Sequence, residues 1–282
     1  MQRRAALLAL PLLLSAAPAG AAGDARLAAL QVGLRARGLY AGPVDGLEGP
    51  ATALAIRSLQ RRARIAVDGV PGPRTRRALG RFAGHRLGSR VLTRGEAGWD
   101  VAALQFELAW HGFPSGALDG FFGRHTDGAL RRFQRWAGLA VDGRAGPVTL
   151  TALAAPPPSS PLPLGWPVAG PLGDRFGPRG AGFHAGVDLL APLGAPVVAA
   201  APGRVVWAAP RDGWGILVVL AHAHGVRSFY AHLSDTAVGL GELVATGQQI
   251  GRVGMTGDAT GPHLHFEVRV RGAAVDPLPA LP

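Results

Sequence analysis

A chain of 282 residues without cysteine suits two or three compact units and excludes disulfides, thiolate metal sites and cysteine-linked lipid anchors. The formal net charge is +11, and all 29 basic residues are arginine. Residues 22–153 hold 19 Arg against 10 Asp plus Glu, whereas residues 164–282 hold 8 of each, so the excess lies in the amino-terminal half and points to an anionic partner.

In chain order, Arg3 and Arg4 precede a short apolar run from Ala5 to Leu14, and Ala19-Gly20-Ala21 offers a cleavage point. Residues 1–21 therefore read as a secretory signal peptide, too short to span a bilayer. No later stretch approaches the roughly 20 unbroken apolar residues of a membrane span, so no transmembrane segment is expected in the mature chain. Export argues against chromosomal nucleic acid as the anionic partner and leaves an acidic wall polymer or a membrane surface.

Shifted by 74 residues, the sequence matches itself without insertion. Leu30-Gln31 falls on Leu104-Gln105, Asp45-Gly46 on Asp119-Gly120, Thr52 on Thr126, Gln60 on Gln134, Val67-Asp68-Gly69 on Val141-Asp142-Gly143, and Gly72-Pro73 on Gly146-Pro147. In each copy Leu27, Leu30 and Leu34, or Val101, Leu104 and Leu108, mark one helical face that ends at Gly38 or Gly112. A second helix is expected from Thr52 or Thr126 as N-cap, and a third near Thr75 or Thr149, each after an Asp-Gly turn. The result is a three-helix unit of about 55 residues. With "LQVGLRARGLYAGPVDGLEGPAT…VDGVPGPRTRRAL" and its second copy, the chain resembles the peptidoglycan-binding domain 1 family. That resemblance implies wall-binding modules at residues 26–80 and 98–154, with peptidoglycan, and anionic wall polymers besides, as partners.

Residues 155–163 are dense in proline, as in a stiff solvated tether. From residue 164 to 282 the chain turns to Val-Val runs and turn dipeptides, with β-like stretches at "PVVAA", "GRVVWAA", "ILVVLAH", "VRSFYAHL", "QQIGRVG" and "HLHFEVRV". A compact, mainly antiparallel β domain is expected.

Six of the nine histidines lie there. In "HLHFEVRV" alternation puts Leu264, Phe266, Val268 and Val270 on one face and His263, His265, Glu267 and Arg269 on the other. A catalytic zinc needs three protein ligands and an open position for water, whose pKa it lowers towards about 7. His184, Asp188 and His265 supply such a set, and His232 and His263 remain for proton transfer and oxyanion stabilisation. His222 and His224 repeat the His-x-His spacing without a carboxylate at ligand spacing, and are expected to be structural. His85, His111 and His125 read as surface or capping residues, and Asp174, Asp212 and Asp258 as solvated loop carboxylates.

Taken together, "RFGPRGAGFHAGVDLLAPLGAPVVAAAPGRVV", "GWGILVVLAHAHGVRSFYAHL", "GQQIGRVGMTG" and "TGPHLHFEV" resemble the lysostaphin/LytM-type zinc metallopeptidases over about residues 166–278. The resemblance implies one zinc per chain on His184, Asp188 and His265, His232 and His263 as catalytic histidines, and cleavage of peptide bonds in peptidoglycan. Asp258-Ala259 departs from the basic or polar residue and serine common in the family, near the mouth of the site, which bears on substrate preference. The whole reads as an exported, monomeric, multidomain cell-wall endopeptidase. A non-catalytic LytM-like regulator that recruits another hydrolase is the alternative.

Overall fold

The computed structural model describes residues 23–282, and the expected export segment lies outside them. The first repeat contains helices α1 (Ala25–Arg35), α2 (Pro50–Arg62) and α3 (Pro73–Arg77), and a 3-10 turn at Gly80–Ala83 follows. The second contains α4 (Trp99–Trp110), α5 (Arg124–Trp136) and α6 (Pro147–Leu153). Among the described residues no helix is long and apolar enough to cross a membrane.

Thr52 and Thr126 are not N-caps. Gly49 and Gly123 hold those positions, and the threonines sit buried inside the first helical turn. A buried glutamine recruits each threonine hydroxyl. Gln31 Nε2 donates to Asp45 Oδ1 (2.7 Å), Leu47 O (3.2 Å) and Thr52 Oγ1 (3.3 Å), while its Oε1 accepts from the Gly46 N–H (2.8 Å). The same Gln–Asp-Gly–Thr bonding recurs around Gln60 with Asp68, Gly69 and Thr75. It recurs again around Gln105 with Asp119, Gly120 and Thr126, and around Gln134 with Asp142, Gly143 and Thr149. Each repeat is thus braced by two copies of one polar lattice, which is why the sequence echoes itself at these positions. Gln134→Leu removes the acceptor of the buried Gly143 N–H and the donor to Asp142, and is expected to cost about 2 to 3 kcal/mol, read as a shift in the denaturant midpoint.

The remainder is β-structure: β1 (Gly177–Arg179), β2 (Gly182–His184), β3 (Val187–Leu190), β4 (Pro196–Val198), β5 (Gly203–Arg211), β6 (Gly215–Ala221), β7 (Val226–Thr236), β8 (Leu243–Val244), β9 (Gln249–Val253), β10 (His263–Val270) and β11 (Ala273–Val275). All the strand pairs are antiparallel. The main sheet runs β11-β10-β7-β6-β5-β8, with β3 also on β10, β9 on β7 and β4 on β9, while β1 and β2 form a separate hairpin. Every β-like stretch read from the sequence contains a strand. Leu264, Phe266 and Val268 of β10 are wholly buried, in one core with Val187, Leu189, Leu233, Ile250 and Val253.

His222 is structural, as expected. Its ring lies between Pro202 O (2.8 Å) and the Ser228 hydroxyl (2.7 Å), which continues to Tyr230 OH (3.0 Å) and the Ala200 N–H (2.9 Å). His111 differs from expectation in one respect. It closes α4 as the C-cap residue but is only 3% exposed, with Nε2 3.0 Å from Ala155 O.

The proline-rich stretch does not leave the repeats standing free of the β domain. Trp136 Nε1 donates to Val270 O (3.2 Å), Arg271 lies over the Trp136 ring (5.1 Å), and the Ala274 N–H donates to Gly112 O (3.1 Å). Gly112 has φ +84°, and a Cβ there would fall 2.2 Å from Ala274 O, so glycine is required both for the backbone turn and for this close approach.

Candidate metal centre and catalytic groove

Two strands and a hairpin end converge on one spot. In the β3–β10 ladder Asp188 stands opposite His265, and His263 stands opposite Leu190. His184 arrives independently, as the last residue of β2. The Nδ1–H of His184 donates to Arg175 O (2.9 Å), which leaves the Nε2 lone pair free. That Nε2 lies 3.1 Å from Asp188 Oδ1 and 2.9 Å from His265 Nδ1, and His265 Nδ1 lies 2.9 Å from Asp188 Oδ1. Three ligand atoms about 3 Å apart match the roughly 3.3 Å edge of a tetrahedron with zinc bonds of about 2.0–2.1 Å.

A further observation supports this fit. Glu267, two residues beyond His265 on the same face, is fully buried, and among the described residues its Oε2 has no hydrogen-bond partner. It lies 3.8 Å from His265 Nε2. Its other oxygen accepts from Arg269, whose guanidinium lies 4.7 Å over Phe229 and 5.8 Å over Trp214. An imidazole that offers Nδ1 to a metal carries its proton on Nε2, and Glu267 is the acceptor on that side. Burial draws the His265 imidazole down, but the Asp188 and Glu267 carboxylates outweigh it and the pKa rises. Burial opposes the charge of Asp188 too, yet the adjoining His184 and His265 rings hold its carboxyl well below the usual range.

His232 and His263 share one arrangement. Each anchors Nδ1–H on a backbone carbonyl, Thr256 O at 2.8 Å and Gly261 O at 2.9 Å, and so carries its lone pair on Nε2. The two ring centroids are 4.8 Å apart, and His263 Nε2 lies 3.7 Å from Asp188 Oδ1. Burial lowers the pKa of His232, with neighbouring His263 and His265 acting in the same direction. Its backbone is left-handed, at φ +61°, where the β6–β7 register shifts between Ile216 and Val218. A bulge of this kind breaks strict alternation and re-aims a side chain, at a local backbone cost. Thr256 secures the bulge: its carbonyl takes the His232 proton, its hydroxyl donates to Leu233 O (2.7 Å), and the Ile216 N–H donates to that hydroxyl (2.9 Å).

Asp188, His232, His263 and His265 therefore line one groove of about 690 Å³, and His184, which does not line it, packs against His265 with ring centroids 4.8 Å apart. Arg179, Trp214 and Thr260 line its walls, and Asp174 and Asp258 stand exposed at its edge. Asp174 pairs with Arg179 at 3.1 Å. Asp212 does not line it. Sequence reasoning placed Glu267 on the polar face without a task, and missed Arg179 and Trp214, which no spacing rule marks.

An antiparallel β domain with a His–Asp–His group that could hold a metal ion and two further imidazoles beside it has the construction of a metallopeptidase. Residues 182–277 match peptidase family M23, and residues 23–79 and 98–153 match the model described as "Putative peptidoglycan binding domain". The chain carries an M23 peptidase domain behind two such repeats.

Among curated relatives, the DD-carboxypeptidase/endopeptidase Mpg of Neisseria meningitidis is 45% identical over 96 residues, which cover 34% of this chain and 22% of that protein. The peptidoglycan DD-endopeptidase ShyB of Vibrio cholerae is 41% identical over 97 residues, covering 34% of this chain and 23% of that one. The chain thus spans less than a quarter of the length of these two relatives. Among solved structures, the catalytic domain of lysostaphin from Staphylococcus simulans is 38% identical, covering 39% of this chain and 90% of that one, with a TM-score of 0.38.

Proposed function

We propose that the protein is an exported, zinc-dependent endopeptidase that hydrolyses peptide bonds of peptidoglycan while its two repeats, read as three-helix wall-binding modules, hold the wall. The observation that carries this reading is the meeting of three metal-ligand atoms with two Nε2 lone pairs in one groove. His184, Asp188 and His265 would hold one zinc ion, which when bound supplies Lewis acidity towards water and a substrate carbonyl. His232 takes the proton of the attacking water on Nε2 and passes it to the leaving amine. His263 would stabilise the oxyanion in its cationic form, with a second proton on Nε2 besides the one Nδ1 shares with Gly261 O. We assign residues 1–21 to the export signal, 26–80 and 98–154 to the repeats, 155–163 to the linker and 164–282 to the peptidase. The assembly is read as a monomer in the cell wall or periplasm.

Charge is uneven between the repeats. Residues 26–80 hold 10 Arg against 3 Asp plus Glu, and residues 98–154 hold 5 of each. Arg57, Arg61, Arg62, Arg64, Arg74 and Arg77 of the first repeat are exposed, which supports that repeat as the surface for carboxylate-bearing or other anionic wall polymers. The relatives named as DD-endopeptidases favour a cross-link between peptide stems over a polyglycine bridge.

Digestion of purified sacculi with zinc-loaded protein is expected to release new amino termini, whose bond is identified by mass spectrometry of the products. Protein that carries zinc and binds sacculi yet cleaves none of them would support the regulator instead.

Two further outcomes follow from the geometry. A base must be unprotonated to act, and burial lowers the His232 pKa, so cleavage is expected to persist somewhat below the ordinary histidine pKa of about 6.5. It should then fall as pH drops through the lowered value, read from the acid limb of the kcat profile. Glu267→Gln keeps the shape but removes the charge facing His265 Nε2, and is expected to weaken zinc binding about 10- to 100-fold, read by chelator competition.

A further inference from the structure

We propose that the helical repeats complete the metal site as well as binding the wall, with Trp110 as a positioning residue for His184. The proposal rests on the reading of His184 as a metal ligand. His184 closes the β1–β2 hairpin, which has no ladder to the main sheet and is held within itself by only three residue pairs. A hairpin that small does not hold its own position.

The repeats grip it at both ends. At its turn, the Val44 N–H donates to Gly180 O (3.0 Å) and the Leu118 N–H donates to Ala181 O (2.6 Å). Val44 and Leu118 are equivalent positions of the two repeats, 74 residues apart, each immediately before its Asp-Gly turn. One residue of the repeat is therefore used twice, on successive carbonyls of a single turn.

At the hairpin's base, Trp110 packs edge-on against Phe183 (5.4 Å between centroids) and Phe176 (6.2 Å), and these two rings lie 5.0 Å apart. Phe183 precedes His184, and Phe176 follows Arg175, the carbonyl of which orients the His184 ring. Trp110 thus rests on the chain neighbours of both partners in that bond. Two residues on, Gly112 is bonded to Ala274 of β11, which pairs with β10, the strand of His265. The end of α4 is a strut between the element that carries one ligand and the sheet that carries the others.

Trp110→Ala in the full-length protein tests this. Three readouts are taken: hydrogen exchange of residues 177–184 in metal-free protein, zinc affinity by competition with a chromophoric chelator, and turnover of a soluble cross-linked peptide. Exchange in that segment is expected to quicken, and zinc affinity to weaken about 10-fold or more, in line with other groups that orient a metal ligand. On a soluble cross-linked peptide, kcat should fall with KM little changed. Trp110→Phe keeps a ring and removes the Nε1 donor, which is buried without a partner among the described residues, and is expected to restore all three. Phe183→Ala breaks the same contact from the peptidase side without touching the cores of the repeats, and should reproduce the loss. Zinc affinity within twofold of wild type in both alanine variants would overturn the proposal. Wild-type protein that takes up no zinc would instead overturn the metal reading beneath it.

Discussion

His265→Ala is expected to reduce zinc content from about one ion per chain to near zero and cleavage of sacculi by at least ~10³-fold. In the proposed site the imidazole would supply one of three ligand atoms, its Nδ1 lying 2.9 Å from both His184 Nε2 and Asp188 Oδ1. Two protein ligands do not make a catalytic zinc site. The loss also reaches stability by linkage, because a ligand that binds only the native state adds to its free energy of unfolding. Wild-type protein is therefore expected to melt at a higher temperature when zinc is added, and the variant to show no such shift. Metal analysis, the melting shift and release of amino termini report on the same atom. A variant that loses cleavage but keeps one zinc per chain would remove His265 from the ligand set.

His232→Ala is expected to separate chemistry from metal binding. Zinc content should stay near one per chain, because the three ligand atoms are untouched, while kcat falls about 10² to 10⁴-fold, the usual contribution of a positioned acid–base group. Since the proposed role of His232 is on the proton of water and the leaving amine, KM should change little. Its backbone at φ +61° adds a second readout. The left-handed conformation is unfavourable for any residue with a Cβ, so His232→Gly is expected to lose activity equally while retaining more stability than His232→Ala. Equal loss of zinc and activity in both variants would place His232 in the metal site.

Much of this site was legible in the sequence because the relevant rules are local. Alternation in "HLHFEVRV" separates Leu264, Phe266 and Val268, now in the core, from His263, His265 and Glu267, and a strand admits no other division. The match at an offset of 74 revealed the repeats because each glutamine, Asp-Gly turn and threonine belongs to a lattice that tolerates few substitutes. The same lattice misled the helix boundaries: Thr52 and Thr126 look like caps, yet a buried glutamine 21 residues earlier in the chain holds each one inside its helix.

By itself, then, the sequence marked the helical repeats and the β domain, since hydrophobic period and turn chemistry are properties of neighbouring residues, and it offered the five candidate site residues by donor type and family resemblance. Only the tertiary structure decided what those residues face. The β3–β10 register sets Asp188 opposite His265, the bulge in β7 turns His232 into the groove, and β10 brings the buried Glu267 carboxyl 3.8 Å from His265 Nε2. It also decided that the proline-rich link does not hold two independent bodies apart, because Trp110, Val44 and Leu118 meet the hairpin of His184 across distances in sequence that no local pattern encodes.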